Sequence, residues 1–229
     1  MKKPSELAVA VGTGASTTAL VYAAANHRAC CSLVLGHGAG AGQHSTFMVD
    51  FARALSDLDL DVITFNFLYI EQQRKLPDRA PVLEDCYRAV IDAVRAQLES
   101  ARRALFIGGK SMGGRIATQV AAGDAALPIA GLVLLGYPLH PPGQPGKLRD
   151  AHLPAVRRPM LFVQGSRDTF GTPDELAPIV VRLAPAPTIH VIANADHSFK
   201  LSRKDPARQG EIYADIQRTV ARWITAGGK

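Results

Sequence analysis

Residues 105–114 read LFIGGKSMGG, a short run of bulky apolar residues that leads into a G-x-S-x-G pattern. The apolar run is typical of a buried β-strand, and the apolar residues Ile116 and Val120, four positions apart, indicate a helix after the pattern. A strand, a G-x-S-x-G turn and a helix together predict a sharp turn that lifts Ser111 above a sheet, with glycines where strand and helix approach closely. Ser111 is therefore the first candidate for a reactive side chain.

Similar apolar runs predict seven further strands along the chain. These are Leu7–Val11, Ala19–Ala25, Cys31–Leu35, Val62–Phe67, Leu132–Leu135, Met160–Val163 and Ile189–Ile192. From the third strand onward, apolar residues spaced three and four apart predict intervening helices, which parallel strands require. The first two strands are joined by Gly12-Thr13-Gly14 and leave no room for a helix, so we expect an antiparallel hairpin at one edge. The sequence predicts an α/β protein with a mostly parallel sheet.

Composition narrows the class of protein. The chain has 229 residues, of which 47% are hydrophobic and 20% charged, which predicts a single domain over residues 1–229 and excludes a disordered or coiled-coil protein. The net charge of +6 is scattered in pairs such as Arg102-Arg103, so no nucleic-acid partner is expected. No apolar segment reaches the roughly 18 residues of a membrane helix, and Leu7–Val11 is too short for a signal sequence. Three cysteines without a disulfide framework favour a reducing, cytoplasmic location.

An acid and a base follow two later strands. Asp168 comes after Met160–Val163, and His197 comes after Ile189–Ile192. Because functional loops gather beyond the carboxyl ends of parallel strands, both side chains are expected near Ser111. The order serine, aspartate, histidine predicts a catalytic triad of nucleophile, acid and base, with Asp196 as the alternative acid.

The strand Cys31–Leu35 leads into a segment with little side chain, GHGAGAG at 36–42. The backbone N–H groups of Ala39 and Met112 are predicted to converge there as an oxyanion hole for a tetrahedral intermediate. We expect His37 to pin this loop by hydrogen bonding rather than to transfer protons.

Phosphate-binding, dinucleotide-binding and metal-binding motifs would each indicate a different function, and particular residues argue against each of them. Gly109-Lys110-Ser111 resembles the end of a phosphate-binding loop, but that loop needs a glycine where Ala104 stands. Residues 36–41 match a dinucleotide-binding G-x-G-x-x-A pattern, yet the next strand ends in Asn66-Phe67 without an acid for a ribose. The seven histidines form no HExxH motif and the cysteines no CxxC motif, so neither a metal nor a cofactor is predicted.

Seven segments that include and extend these motifs carry a resemblance to a known family. They are HGAGAG at 37–42, FNFLY at 65–69, PDR at 77–79, GGKSMGGR at 108–115, GYPLHPPG at 136–143, QGSRDTFG at 164–171 and ADHSF at 195–199. The sequence resembles, nearly end to end, the α/β-hydrolase superfamily and its small dienelactone-hydrolase-like serine hydrolases. The resemblance implies a sheet of up to eight strands with helices on both faces and no large cap domain. It also implies cleavage of a small-molecule ester or thioester through an acyl-serine intermediate.

Two departures bear on the substrate. Dienelactone hydrolases have cysteine where Ser111 stands, and Leu68 occupies a position where proline is expected, so dienelactone is not the expected substrate. The same group resembles the hydrolase-like domain of a subunit of eukaryotic histone-acetyltransferase complexes, which leaves a non-enzymatic interaction module as an alternative. Five apolar side chains near the expected site are predicted to line the acyl pocket: Phe67, Tyr69, Leu139, Phe170 and Phe199.

Overall fold

The strands form one sheet in the order β1-β2-β4-β3-β5-β6-β7-β8 in the computed structural model, which describes residues 3–26, 29–201 and 206–228. The pairs β1-β2 and β2-β4 are antiparallel, and every other neighbouring pair is parallel. The strands are β1 Ser5–Val11, β2 Ala15–Tyr22, β3 Ser32–Gly36, β4 Asp61–Phe65, β5 Leu105–Lys110, β6 Gly131–Leu135, β7 Met160–Gly165 and β8 Thr188–Ile192. The predicted mostly parallel sheet with an antiparallel hairpin at one edge is confirmed.

Helices cover both faces of this sheet, as predicted. The described residues contain α1 Thr46–Asp57, α2 Leu68–Glu71, α3 Ala80–Gln97, α4 Glu99–Arg103, α5 Met112–Gly123, α6 Pro173–Val180 and α7 Pro206–Thr225. The apolar sides of α1 and α7 pack in one hydrophobic cluster, and those of α3, α5 and α6 pack in another. Alternate residues of a strand serve the two clusters, since Val34 belongs to one and its neighbours Leu33 and Leu35 to the other.

The second strand differs most from its prediction. It begins at Ala15, four residues earlier than expected, and ends at Tyr22 rather than Ala25. The reason is the tightness of the turn: Gly12 and Gly14 both have positive φ angles, so Val11 already pairs with Ala15. The hairpin is therefore closed by the three-residue turn 12–14 alone.

Among the described residues, no large cap covers the carboxyl edge of the sheet. The connection from β6 to β7 has a single 3-10 turn, Leu153–Ala155, within its otherwise irregular chain. The described part of the chain thus agrees with the architecture that the family resemblance implies. None of the helices in the described ranges combines the length and apolar composition needed to cross a membrane.

A buried tyrosine ties a helix to the strand that precedes Ser111. The Tyr87 hydroxyl, on α3, donates to the Gly108 carbonyl at 2.6 Å and accepts from the Gly108 N–H at 3.0 Å. It also lies 3.0 Å from the carbonyl of Val34 on the adjacent strand. The ring is completely buried, so no water can replace these bonds. Tyr87 thus fixes the two central strands just below the turn that carries Ser111.

We predict that Tyr87→Phe lowers the free energy of unfolding by about 1–3 kcal/mol, because it removes the buried hydrogen bonds between the hydroxyl and the backbone of Gly108 and Val34. Tyr213→Phe is the matched control, since its hydroxyl makes only a long, exposed bond of 3.4 Å to the Ser198 carbonyl. Guanidinium denaturation of both variants measures the difference. Equal losses of stability in the two variants would contradict the role assigned to Tyr87.

Candidate active site

Ser111 stands at a sharp turn between β5 and α5. Its φ and ψ angles are 51° and −113°, a conformation that non-glycine residues rarely adopt. A Cβ atom at Gly109 would lie 2.2 Å, and one at Gly113 2.1 Å, from the carbonyl oxygen of Gly36. Both glycines of the G-x-S-x-G pattern are therefore required because the backbones of β3, β5 and α5 meet at this point.

A continuous chain of hydrogen bonds joins the three predicted triad residues. The Ser111 Oγ lies 2.8 Å from His197 Nε2, and His197 Nδ1 lies 2.8 Å from Asp168 Oδ2. Asp168 also accepts from the Phe170 N–H at 2.8 Å and from the Gln164 side-chain amide at 2.9 Å. Surrounded by donors, the buried carboxylate acts as an acceptor and places the imidazole proton on Nδ1. The lone pair of Nε2 then faces the serine hydroxyl.

The alternative acid, Asp196, has a different position. Its Oδ1 accepts from the backbone N–H groups of Ser198 and Lys200 at 2.8 and 2.9 Å. These bonds shape the loop that carries His197, and the imidazole turns instead towards Asp168. The geometry therefore favours Asp168 as the partner of the base.

The two predicted oxyanion donors border the same cavity as Ser111. Within the described residues, neither the Ala39 N–H nor the Met112 N–H has a hydrogen-bond acceptor. The carbonyl of Gly38 accepts from His37 Nδ1 at 2.8 Å. Because a trans peptide points its C=O and N–H in opposite directions, this bond directs the Ala39 N–H away from the His37 ring.

His37 is a completely buried, uncharged ring. Its Nε2 accepts from the Phe67 N–H at 3.1 Å, so both ring nitrogens are used by the backbone. Burial lowers the pKa of His37 to about 4, against smaller opposing effects of Gly38 and Glu71. The Tyr69 hydroxyl donates to the Ala39 carbonyl at 2.9 Å. These contacts agree with the structural role predicted for His37.

Ser111 and His197 open onto a cavity of about 770 Å³. One wall is the glycine-rich loop 38–41, and apolar parts come from the start of α1 and the start of α3. Of the five predicted pocket side chains, Phe170 lines this cavity and stacks on the His197 ring with centroids 4.2 Å apart.

The pocket prediction is wrong for the four other side chains, which are at most 1% exposed. Phe67 packs edge-on against His37, Leu139 lies against the Gly171 backbone, and Phe199 stacks below Lys110. Tyr69 turns only its hydroxyl towards the glycine-rich loop. They lie in the chain segments that follow strands, with Tyr69 in α2, and all four are buried beneath the loops. Apolar lining comes instead from α1 and α3, through Phe47, Met48, Phe51 and Leu83.

Lys110, which precedes Ser111, has a contact that the sequence pattern did not predict. Its ammonium donates to the His197 carbonyl at 2.7 Å and lies 5.4 Å from the centre of the Phe199 ring. Burial lowers the pKa of Lys110 to about 8, although the charges of Asp168 and Asp196 oppose this. The available signal was a charged residue inside the G-x-S-x-G pattern, directly after a buried apolar strand. Lys110 links the turn that carries Ser111 to the loop that carries His197.

Comparison with known proteins places this geometry in context. Residues 29–225 match the family model described as an alpha/beta hydrolase domain. A lidless α/β serine hydrolase from Xanthomonas campestris is 23% identical, with a TM-score of 0.74 over 97% of this chain and 96% of that one. A dienelactone hydrolase from Anabaena variabilis is 18% identical, with a TM-score of 0.74 over 98% and 99%. Est1E from Butyrivibrio proteoclasticus is 12% identical, with a TM-score of 0.75 over 96% and 99%.

The similarity to solved structures shows the fold, and the side chains of the site indicate which kinds of chemistry it can support. Within the described segments, no group of three or more His, Cys, Asp or Glu side chains is arranged to hold a metal ion. The polar groups next to Ser111 include its own hydroxyl, the His197 imidazole, the Asp168 carboxylate behind it and backbone N–H groups. This set is suited to proton transfer and to binding an oxyanion.

We predict that His37 makes folding stability fall in mild acid. Its pKa is about 4 in the folded protein and about 6.5 in the unfolded chain, so between these values only the unfolded chain gains a proton. The contribution of the neutral His37 ring to the free energy of unfolding is complete above pH 6.5. It falls by on the order of 3 kcal/mol as the pH decreases towards 4.

Denaturant titrations between pH 7 and pH 4 test this prediction. His37→Gln should have a lower free energy of unfolding than the parent at pH 7. The difference between the two free energies should narrow in acid, because the variant lacks the titrating ring. His152, whose pKa burial also lowers to about 4, contributes equally to both proteins and cancels. The exposed His44→Gln is the control and should follow the parent. A gap for His37→Gln that stays constant with pH would refute the assignment.

Proposed function

The chain belongs to the α/β-hydrolase family, and on that premise we propose that it is a serine hydrolase that cleaves a small ester or thioester. The observation that carries this proposal is the unbroken hydrogen-bonded chain from Asp168 through His197 to Ser111. It ends beside a cavity bordered by two backbone N–H groups that have no acceptor among the described residues. Nucleophile, base, orienting acid and oxyanion donors are then all supplied by this one chain.

In the first half of the proposed reaction, Ser111 Oγ attacks the acyl carbon while its proton passes to His197 Nε2. Asp168 stabilises the imidazolium that forms. The carbonyl oxygen becomes an oxyanion and accepts from the N–H groups of Ala39 and Met112. The intermediate collapses, His197 returns the proton to the leaving alkoxide or thiolate, and the acyl group remains on Ser111.

In the second half, a water molecule attacks the acyl-serine and gives its proton to His197. Collapse of this second tetrahedral intermediate breaks the bond to Ser111 Oγ and returns the proton to the serine. The carboxylic acid leaves and the enzyme is regenerated. No cofactor or metal is needed to balance either half.

Several buried contacts support a site that is organised before substrate binds. His37 and Tyr69 hold the glycine-rich loop, and Lys110 holds the backbone of the base. Met112 is the first residue of α5, so the positive end of the helix dipole adds to the stabilisation of an oxyanion. Such prior organisation is what makes hydrogen bonds effective in catalysis.

The size of the cavity and its uncapped edge support a small-molecule substrate. Est1E, which shares the fold, has also been solved with ferulic acid bound. The chain therefore has space for a compact acyl or alcohol group without a separate lid. The implied partner is a small ester or thioester.

We predict that a fluorophosphonate labels Ser111 stoichiometrically, because an ordinary serine hydroxyl reacts only when a base and oxyanion donors are in place. Mass spectrometry should find the label on Ser111, none in Ser111→Ala, and much less in His197→Ala. Hydrolysis of p-nitrophenyl esters should be lost in Ser111→Ala. Thermal melting checks that both variants remain folded.

The same experiment separates the two functional classes. Native protein that takes no label and hydrolyses no ester would overturn the enzyme proposal and favour the interaction module. Labelling at a residue other than Ser111 would overturn the choice of nucleophile.

We predict that Asp168→Asn lowers kcat by roughly 10⁴-fold, because an amide would hold the imidazole in the wrong tautomer. Asp196→Asn is the matched control, since an asparagine oxygen can still accept from the N–H groups of Ser198 and Lys200. It should change kcat by less than about tenfold. The reverse order of the two losses in an ester-hydrolysis assay would make Asp196 the functional acid.

A further inference from the structure

Two arginine side chains, Arg115 and Arg149, line the cavity that contains Ser111. Arg115 lies on α5, four residues after Ser111 and therefore about 6 Å further along the helix axis. Arg149 lies in the connection between β6 and β7. A guanidinium remains charged at any physiological pH, so two fixed positive charges border one cavity.

Neither guanidinium has an acidic partner in the parts of the chain that the structure describes. The hydrogen bond of the Arg115 side chain goes to the neutral amide oxygen of Gln119 at 3.3 Å. The Arg149 side chain makes no hydrogen bond or ion pair within those residues, not even with the adjacent Asp150. Both groups therefore have unused donors.

Two acids near this end of the cavity form ion pairs with other arginines. Asp78 lines the cavity and pairs with Arg74, and Glu84 pairs with Arg88 at 3.7 Å. Asp50 also lines the cavity, but it lies on α1, across from α5. None of these acids forms an ion pair with Arg115 or Arg149, although the charge of Glu84 favours the charged form of Arg115.

The two charges act on each other. Burial, and then the neighbouring charge of Arg149, lower the pKa of Arg115. Bringing like charges together costs free energy, and an anion bound between them removes that cost. An arrangement of this kind binds anions more readily than one with isolated surface arginines.

The backbone of Arg149 is held in place. Its N–H donates to the Leu139 carbonyl at 2.8 Å, and its carbonyl accepts from the buried Tyr137 hydroxyl at 2.7 Å. The intervening Pro138 lines the same cavity. The side chain therefore starts from a fixed point on the wall, which reduces the entropy lost when it binds a ligand.

We propose that Arg115 and Arg149 form a carboxylate-binding subsite of the Ser111 cavity, and that the substrate is a small ester or thioester carrying a free carboxylate. This inference rests on the proposed serine hydrolase function and specifies its substrate class. The planar guanidinium matches the two oxygens of a carboxylate, and a partly enclosed cavity strengthens such a bond. The subsite binds the carboxylate while Ser111 attacks the ester carbonyl elsewhere in the same molecule.

The main experiment compares esters that differ only in a free carboxylate. Half-esters of succinic, glutaric and adipic acid carry it on the acyl side, and acetyl esters of glycolic and 3-hydroxypropionic acid carry it on the alcohol side. Each is paired with the counterpart whose carboxylate is masked as a methyl ester, and kcat/KM is followed by acid release at constant pH. We expect the parent to prefer at least one free carboxylate by roughly 10- to 100-fold, as loss of a charged hydrogen bond implies.

The arginine variants assign that preference to residues. Arg115→Gln and Arg149→Gln should bring the ratio of free to masked ester close to one, chiefly by raising KM for the free carboxylate. Arg149→Lys should retain part of the ratio, because the charge remains without the planar fork. The exposed Arg157→Gln, outside the cavity, should leave the ratio unchanged. If Arg115→Gln fails to fold, the ratio of free to masked ester in Arg149→Gln alone tests the subsite.

A binding measurement separates this inference from the proposed function. Glutarate should slow fluorophosphonate labelling of Ser111 in the parent and less so in the glutamine variants, whereas neutral glutaramide should not. Labelled protein with no preference for free carboxylates and no glutarate protection would overturn the subsite and leave the hydrolase intact. Protection by inorganic phosphate but not by glutarate would overturn the carboxylate assignment. If Ser111 takes no label, glutarate binding by calorimetry still tests the subsite, and absence of binding overturns it.

Discussion

The close approach of three backbones at Gly36, Gly109 and Gly113 is the constraint on which the rest of the site depends. The carbonyl of Gly36 lies where a side chain at either of the other two glycines would begin. This contact brings the start of α5 directly against the central strands and forces Ser111 into a left-handed turn. The serine hydroxyl and the first N–H of the helix consequently face the same cavity. A larger residue at either glycine would separate strand from helix and move both groups.

The surrounding polar groups are buried, and each is satisfied by backbone atoms of a different element. Tyr87 bonds to β5, His37 bonds to the chain on either side of the glycine-rich loop, and Lys110 bonds to the residue that carries the imidazole. Burying these groups costs free energy unless every bond is made, so a displaced loop would leave several of them unpaired. The same low-dielectric surroundings keep His37 uncharged and ease proton loss from Lys110. Rigidity and electrostatics of the site therefore have a common origin.

Charge is distributed unevenly around the cavity. Asp168 and His197 lie on one side, and the arginines on α5 and on the β6–β7 connection supply positive charge that forms no ion pair among the described residues. Where the described residues form no lid, fixed charges on the cavity wall add to its size and apolar lining as a means of discriminating among substrates.

The sequence by itself determined the architecture and the chain order of the candidate triad residues. Strand-length apolar runs and helical spacing come from local chemistry, and the G-x-S-x-G turn predicts its own geometry because only glycine permits the approach. Chain order after successive strands was enough to name Ser111, Asp168 and His197, since parallel strands deliver their carboxyl ends to one edge.

Tertiary structure alone decided which side chains face the cavity and which face the core. Phe67 and Phe199 lie in segments that follow strands leading to the site. The direction of such a side chain depends on how the segment after the strand folds back. The contact between Lys110 and the His197 carbonyl joins residues 87 positions apart, and no local pattern encodes it. The pairing of Arg115 with Arg149 likewise exists only because α5 and a distant loop meet around one cavity. Such contacts depend on packing between elements, which sequence periodicity does not specify.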